Sequence, residues 1–214
     1  MDQEIIKIIQ EANHSIKQGR EKLEAAIQQL SELLADHPKS GSLCAAICHL
    51  YLVMERTDIP MGWLAQAIQY DRDLEKDIIA ATTRFYQEGR LNESLELLER
   101  LVRVDPEQFE AWNDLGAVLF ALNNWTRAKD AFEQALQLNP AYGESILNLT
   151  VLYAVSEQPE LAKLTARKAL DQACSAPPHL LKELAEVISK INTDTAEQIR
   201  VRAKTKDAEM GSEA

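Results

Sequence analysis

The sequence predicts an all-α protein built from antiparallel helix pairs that stack on one another. Prolines that follow apolar helical runs recur at a fixed interval, since Pro106 and Pro140 lie 34 residues apart. Apolar and small residues keep this interval on both sides of these prolines. Aromatic residues make up only 6% of the chain, which favours helices because strands are enriched in aromatic side chains. Such a period indicates a repeat architecture in which each pair buries its open face against the next.

The clearest repeat lies between Pro106 and Pro140. The first helix carries large apolar residues and one glycine, the second helix carries alanines and a phenylalanine, and a proline ends the second helix. These residues are Trp112, Leu115, Gly116, Leu119, Ala128, Phe132, Ala135 and Pro140. The pattern resembles the tetratricopeptide repeat signature, with Leu119 where the family usually carries tyrosine. The resemblance implies a right-handed α-solenoid of about four to five repeats plus a C-terminal capping helix.

The same interval divides the rest of the chain. The predicted divisions are a divergent N-terminal helix pair at 1–40, repeats at 41–74 (degenerate), 75–108, 109–142 and 143–176, a capping helix at 177–192, and a partly helical to disordered tail at 193–214. Helices are predicted near 3–17, 21–36, 41–55, 60–71, 74–87, 91–104, 108–121, 125–138, 142–156, 159–173 and 179–191. The last helix is expected to start at Thr193 and to fray beyond about Lys206, because terminal segments with nothing to pack against are poorly ordered.

The charge of the chain bears on its partners and location. The formal net charge is -11 and the pI is near 4.9, which disfavours nucleic acid and anionic membrane surfaces as ligands. No run approaches the 18 apolar residues of a membrane-inserted helix, and no secretory signal is evident at the N-terminus. We therefore expect a cytoplasmic protein whose partners are neutral or basic.

A metal site at Cys44 and Cys48 is the strongest candidate for chemistry. Their spacing of four places both sulfurs on one helix face, and His49 follows directly. Structural zinc needs four ligands, and no second cluster of Cys or His is present. Both cysteines also fall on interior positions of the repeat, which favours core packing. With no phosphate-binding loop and no nucleophile arrangement, we expect no metal, no cofactor and no catalysis.

Partner binding is predicted on the first helices of the repeats. In proteins of the family that this chain resembles, these helices line a concave groove that holds a peptide or helix of another protein. The corresponding positions here are Lys76, Ile79, Thr83, Tyr86, Gln87, Glu110, Asn113, Asp114, Ala117, Phe120, Glu144, Leu147, Asn148 and Val151. Chaperone-adaptor members hold a C-terminal carboxylate with Lys, Asn and Arg there, whereas Glu110, Asp114 and Glu144 would repel it. The mixture fits a neutral or basic peptide or amphipathic helix.

Several functions remain open at the level of sequence. The favoured one is a non-catalytic scaffold or adaptor for protein–protein interaction. A secretion-type chaperone and a structural protein that self-assembles into a homo-oligomer are the alternatives, and an enzyme accessory subunit with its own catalytic site is the least favoured. Trp125, which opens a second helix, is expected to pack against the adjoining turn rather than to serve as a binding anchor.

Overall fold

The computed structural model describes residue 7 and residues 20–170 and 176–212. In these ranges the regular secondary structure is helical, with no strand. The helices are α1 (Arg20–Asp36), α2 (Gly41–Val53), α3 (Met61–Tyr70), α4 (Asp73–Gln87), α5 (Leu91–Val104), α6 (Phe109–Ala121), α7 (Trp125–Leu138), α8 (Gly143–Val155), α9 (Pro159–Arg167), α10 (Pro178–Ser189) and α11 (Thr193–Ser212). A short 3₁₀ helix, Lys168–Leu170, follows α9. The predicted all-α class is confirmed.

The predicted helix bounds are confirmed to within two residues for most of these elements. The α-helix expected over 159–173 is shorter, because it ends at Arg167 and tightens into the 3₁₀ turn. The last helix is longer than expected, since it continues past Lys206 to Ser212. The helix predicted near 3–17 lies outside the described residues, as do His14 and Cys174.

The chain divides into two compact units, residues 1–106 and 107–214. In the first unit α2 packs on α3, α4 packs on α5, and α1 contacts α2. In the second unit the packed pairs are α6 with α7, α8 with α9, and α10 with α11. Each unit is thus built from antiparallel pairs of neighbouring helices, the arrangement that the period predicts.

The turn that ends the first helix of each pair recurs with the same backbone geometry. Its left-handed residues, 34 positions apart, are Glu55, Gly89, Asn123 and Glu157, with φ between 56° and 76°. In each case the next N–H donates to the carbonyl five residues back, as Arg90 does to Phe85 at 2.8 Å. This is the Schellman arrangement that satisfies the last carbonyls of a helix. Because this series includes Glu55, the helix pair within segment 41–74 has the same turn geometry as the other pairs.

Small residues set how closely paired helices approach. A Cβ atom placed on Gly116 of α6 would lie 2.5 Å from the ring of Phe132 on α7, so only glycine leaves room for that ring. Ala128 and Ala135 of α7 are fully buried beside it.

Cys44 and Cys48 are buried in the first unit, as predicted for core residues. Burial, and then the neighbouring Cys44, raise the pKa of Cys48 to about 12, so its thiol stays protonated.

Candidate functional site

The predicted partner-binding positions of the first unit lie on the outer face of α4. Lys76, Thr83, Tyr86 and Gln87 are exposed, and Ile79 is half-buried. Lys76 donates to Asp73 at 2.7 Å, and the Thr83 hydroxyl donates to the carbonyl of Ile79 at 2.9 Å. Two of these polar side chains are thus engaged within the helix. Tyr86, which is 43% exposed, is the large apolar side chain that is accessible on this face.

The positions of the second unit form a separate face on α6 and α8, which we call the α6–α8 face. Its accessible members are Glu110, Asp114, Ala117, Phe120, Glu144, Asn148 and Val151. On α6 the spacing of Glu110, Asp114, Ala117 and Phe120 follows the helical period, so these residues make one stripe. Carboxylates lie at the N-terminal end of the stripe and the aromatic ring lies near its C-terminal end.

Asn113 and Leu147, also predicted to contact a partner, are buried. Asn113 is only 3% exposed, and its Oδ1 accepts hydrogen bonds from Ser145 Oγ at 2.9 Å and Asn148 Nδ2 at 3.0 Å. The amide therefore joins α6 to α8 beneath the α6–α8 face. Leu147 is 6% exposed and packs below the same surface. Both side chains therefore lie beneath the accessible surface of the α6–α8 face.

Three carboxylates make the α6–α8 face acidic. The pKa of Asp114 is raised to about 6, chiefly by burial; a hydrogen bond from Asn113 lowers it, and the charges of Glu144 and Glu110 raise it. Glu110 Oε2 is buried and accepts no hydrogen bond from the described residues. None of the three carboxylates forms an ion pair with a cation in the described part of the chain. Their negative charge is therefore not neutralised locally.

Tyr142, which the sequence does not single out, contributes to this face. Its hydroxyl donates to Glu144 Oε2 at 2.8 Å, and its ring packs edge-on against Phe109 with centroids 4.9 Å apart. Burial, followed by the hydrogen bond to Glu144, raises the pKa of the Tyr142 hydroxyl. The position of Tyr142 just before α8, two residues from a predicted site carboxylate, is the signal that could have identified it.

Trp125 extends the aromatic end of the face. Its ring stacks on that of Phe120, with centroids 6.5 Å apart and an interplanar angle of 27°. This contact is with a residue of α6 and not of the turn itself, and Trp125 remains 39% exposed. Phe120 and Trp125 together offer a flat aromatic surface that a partner can cover.

The described residues contain no group of three or more His, Cys, Asp or Glu side chains placed to hold a metal ion. Among the same residues no helix is both long and apolar enough to cross a bilayer. The α6–α8 face presents negatively charged carboxylates beside apolar side chains. Such a surface is suited to recognition of another molecule.

Residues 80–143 match the tetratricopeptide repeat family. The BBSome complex member BBS4 homolog of Drosophila melanogaster is 24% identical over 134 residues, which are 62% of this chain and 28% of that protein. The peroxisomal targeting signal receptor of Saccharomyces cerevisiae is 34% identical over 67 residues, 31% of this chain and 11% of the receptor. The chain therefore spans less than a third of either relative.

The crystal structure of MamA has a similar fold. It superposes with a TM-score of 0.52 at 18% sequence identity, over 78% of this chain and 97% of that chain. At this level of identity the likeness concerns the fold alone, and it supports an arrangement of repeated helix pairs.

Proposed function

This chain is a tetratricopeptide repeat protein, and from that premise we propose that it is a non-catalytic scaffold for protein–protein interaction. The proposed ligand is a neutral or basic peptide, or an amphipathic helix, bound on the α6–α8 face. The observation that carries the proposal is the set of three carboxylates on this face, Glu110, Asp114 and Glu144, without a cationic partner among the described residues.

Charge and shape define the ligand. Basic side chains of a partner would neutralise the carboxylates at the N-terminal end of the α6 stripe. Apolar side chains would cover Phe120 and Trp125, which are stacked and partly exposed. An acidic segment is disfavoured, because a carboxylate brought to about 4 Å from one of these groups meets a repulsion of up to about 4 kcal/mol near a protein surface.

The buried hydrogen bonds below the face support the same proposal. Ser145 and Asn148 hold Asn113, and this fixes α6 against α8 before any ligand arrives. A surface that is already ordered loses less conformational entropy on binding, so more of the contact energy appears as affinity.

A charge reversal at Glu144 tests the proposal. Glu144 is exposed, and Glu144→Lys places a cation among the remaining carboxylates of the face. Glu183→Lys is the matched control, since Glu183 is an exposed carboxylate of α10. Each protein is used to capture partners from its native lysate, followed by quantitative mass spectrometry and calorimetry on the recovered partner. We expect a partner that binds the wild type and the control and is lost from Glu144→Lys. Equal recovery by all three proteins would refute the α6–α8 face as the binding site.

A further inference from the structure

A second surface of the same unit lies in a cleft between α7 and α9. The cleft encloses about 350 Å³, and its floor is formed by buried Leu136, Leu149 and Tyr153. Leu149 is two positions from Leu147, so it points to the opposite side of α8, about 200° around the helix axis. The cleft is therefore distinct from the α6–α8 face.

Two exposed leucines line one wall of this cleft. Leu161 is 41% exposed and Leu164 is 61% exposed, although both lie on α9 in the middle of a well-formed helix. The two preceding repeats carry charged residues at the equivalent positions, 34 and 68 residues earlier: Glu93, Glu96, Arg127 and Asp130. The leucines are thus a departure from the repeat pattern at solvent-facing positions. Both α10 and α11 contact α9, and Leu161 and Leu164 nevertheless remain exposed.

Cations lie beside these leucines. Lys168 lines the cleft one helical turn beyond Leu164, and Arg167 is exposed next to it. In the part of the chain that the structure describes, neither forms an ion pair with a carboxylate. Glu133 on the facing wall is engaged, because its Oε1 accepts a hydrogen bond from Tyr153 at 3.0 Å and lies 3.7 Å from Lys129 Nζ. The end of the cleft nearest the C-terminus of α9 is therefore positively charged, although the net charge of the chain is -11.

Glu160 lies on the same exposed side of α9 as Leu164, so the N-terminal end of this helix carries a negative charge and its C-terminal end carries positive charges. It precedes Arg167 by seven residues, or about 10 Å along the helix. Cations at a helix C-terminus and an anion at its N-terminus also complement the helix dipole. The dipole accounts for the charges, but it gives no reason for leucines at two exposed positions.

We propose that the α7–α9 cleft is a docking site for a segment of a partner protein that inserts an aliphatic or aromatic side chain between Leu161 and Leu164 and places an acidic residue against Arg167 and Lys168. This surface goes beyond the acidic α6–α8 face and takes a ligand of opposite charge. A cleft of this volume accepts one or two side chains. A stable dimer of this chain would need about 1,200 Å² or more of buried surface, so a short segment fits the cleft better than a second copy does.

Peptide selection with a single-residue counter-screen tests the proposal. The full chain is panned against a displayed library of random peptides about 16 residues long, enough for four helical turns. Enriched peptides are then measured on Leu164→Asp and on Val201→Asp. The second variant is the matched control, since Val201 is 54% exposed on α11. Both substitutions are at exposed positions, so circular dichroism is expected to show unchanged helicity.

We expect a class of peptides with an apolar residue within two helical turns of acidic residues. Their affinity should fall about tenfold or more on Leu164→Asp and stay unchanged on Val201→Asp. An Arg167→Glu, Lys168→Glu variant, which leaves the leucines in place, should weaken the same peptides to a similar degree. Phe120→Glu should leave them unaffected, which separates this site from the α6–α8 face.

Four results would overturn the proposal. The first is that no selected peptide distinguishes Leu164→Asp from the wild type. The second is that the peptides that bind Leu164→Asp more weakly than the wild type are basic. The third is that they lose affinity on Phe120→Glu, which would assign them to the α6–α8 face. The fourth is that sedimentation of the protein alone shows self-association abolished by Leu164→Asp, which would identify a second copy as the occupant.

Discussion

The contact between Gly116 and Phe132 leaves no room for a methyl group. A Cβ atom at position 116 would lie 2.5 Å from Phe132 Cε1, and Phe132 is too deeply buried to move freely. Overpacking of this kind costs about 1–3 kcal/mol, and the better helix propensity of alanine returns up to about 1 kcal/mol. Urea unfolding is therefore expected to show a lower free energy of unfolding for Gly116→Ala.

Gly62 provides the matched control for this substitution. It also lies in a helix, but no atom comes within 4 Å of a Cβ built on it. Gly62 lies in the first turn of α3, where helix propensity counts for less than in a helix interior, so Gly62→Ala should raise the free energy of unfolding by less than about 1 kcal/mol. Stabilisation of both alanine variants would contradict the claim that the close packing of α6 on α7 requires a glycine at position 116.

The half-buried carboxyl of Asp114 should make the stability of the fold depend on pH. Its pKa is about 6 in the folded chain against an ordinary value of 3.8, so between these values the folded chain retains a proton that the unfolded chain has released. Stability contributed by this group therefore falls as pH rises from about 4 to 6, and the loss is complete above 6. Asp114→Asn removes the ionisation and is expected to raise the free energy of unfolding at pH 7 by about 1–3 kcal/mol.

The pH profile decides whether ionisation is the cause. Wild type and Asp114→Asn should unfold with equal free energy near pH 3.5 and diverge up to pH 6.5. A constant difference across this range would contradict the argument, since it would arise from packing or hydrogen bonding alone. The same titration predicts that a basic ligand binds the α6–α8 face more weakly below pH 6, when Asp114 is protonated.

Residue-level accessibility is where sequence reasoning reaches its limit. The helical period places Glu110, Asp114 and Phe120 on one stripe of α6, and they do lie together. It also places Asn113 there, but Ser145 and Asn148 cover that side chain from α8. The period gives direction around a single helix, whereas burial depends on residues about 32–35 positions away in the sequence. Whether the accessible residues bind a partner stays a prediction.

Helix bounds follow closely from local signals in this chain. The bounds of α5 and α7 agree with the prediction because a left-handed turn residue precedes each helix and a proline follows it. The end of α11 differs from the prediction because its stabilising contacts are with residues distant in the sequence. Lys182 Nζ lies 2.7 Å from Asp207, and Lys206 Nζ donates to the carbonyl of Ala176 at 2.9 Å. No local pattern in the sequence reveals such contacts.

The contact of Lys206 predicts order at the end of α11. Lys206→Ala removes the hydrogen bond to Ala176, whose net contribution is about 0.5–1.5 kcal/mol. Amide hydrogen exchange in residues 200–212 should therefore become faster, while α10 keeps its protection. Lys204→Ala is the control, since Lys204 is an exposed neighbour on the same helix. Equal acceleration in the two variants would contradict a specific role for the Lys206 contact, since Lys204→Ala leaves that hydrogen bond in place.

At the scale of the whole molecule, the fold is encoded in the interval of the repeat. The 34-residue period, the glycine and alanine positions and the prolines are all visible in the sequence, and the recurring turns from Glu55 to Glu157 follow from them. We propose that function lies in side chains at accessible positions of the second unit. The carboxylates of the α6–α8 face favour a basic ligand, and the exposed leucines of α9, with Arg167 and Lys168 beside them, favour an acidic one.

The most direct test of the scaffold function is a hydrogen-exchange footprint of the bound partner segment on the full chain. We expect slower exchange in α6 and α8, centred on residues 109–121 and 143–155, with no change in α10. Protection should vanish with Glu144→Lys and persist with Glu183→Lys. Protection confined to other helices, or unchanged by Glu144→Lys, would contradict the assignment of the α6–α8 face as the partner-binding surface.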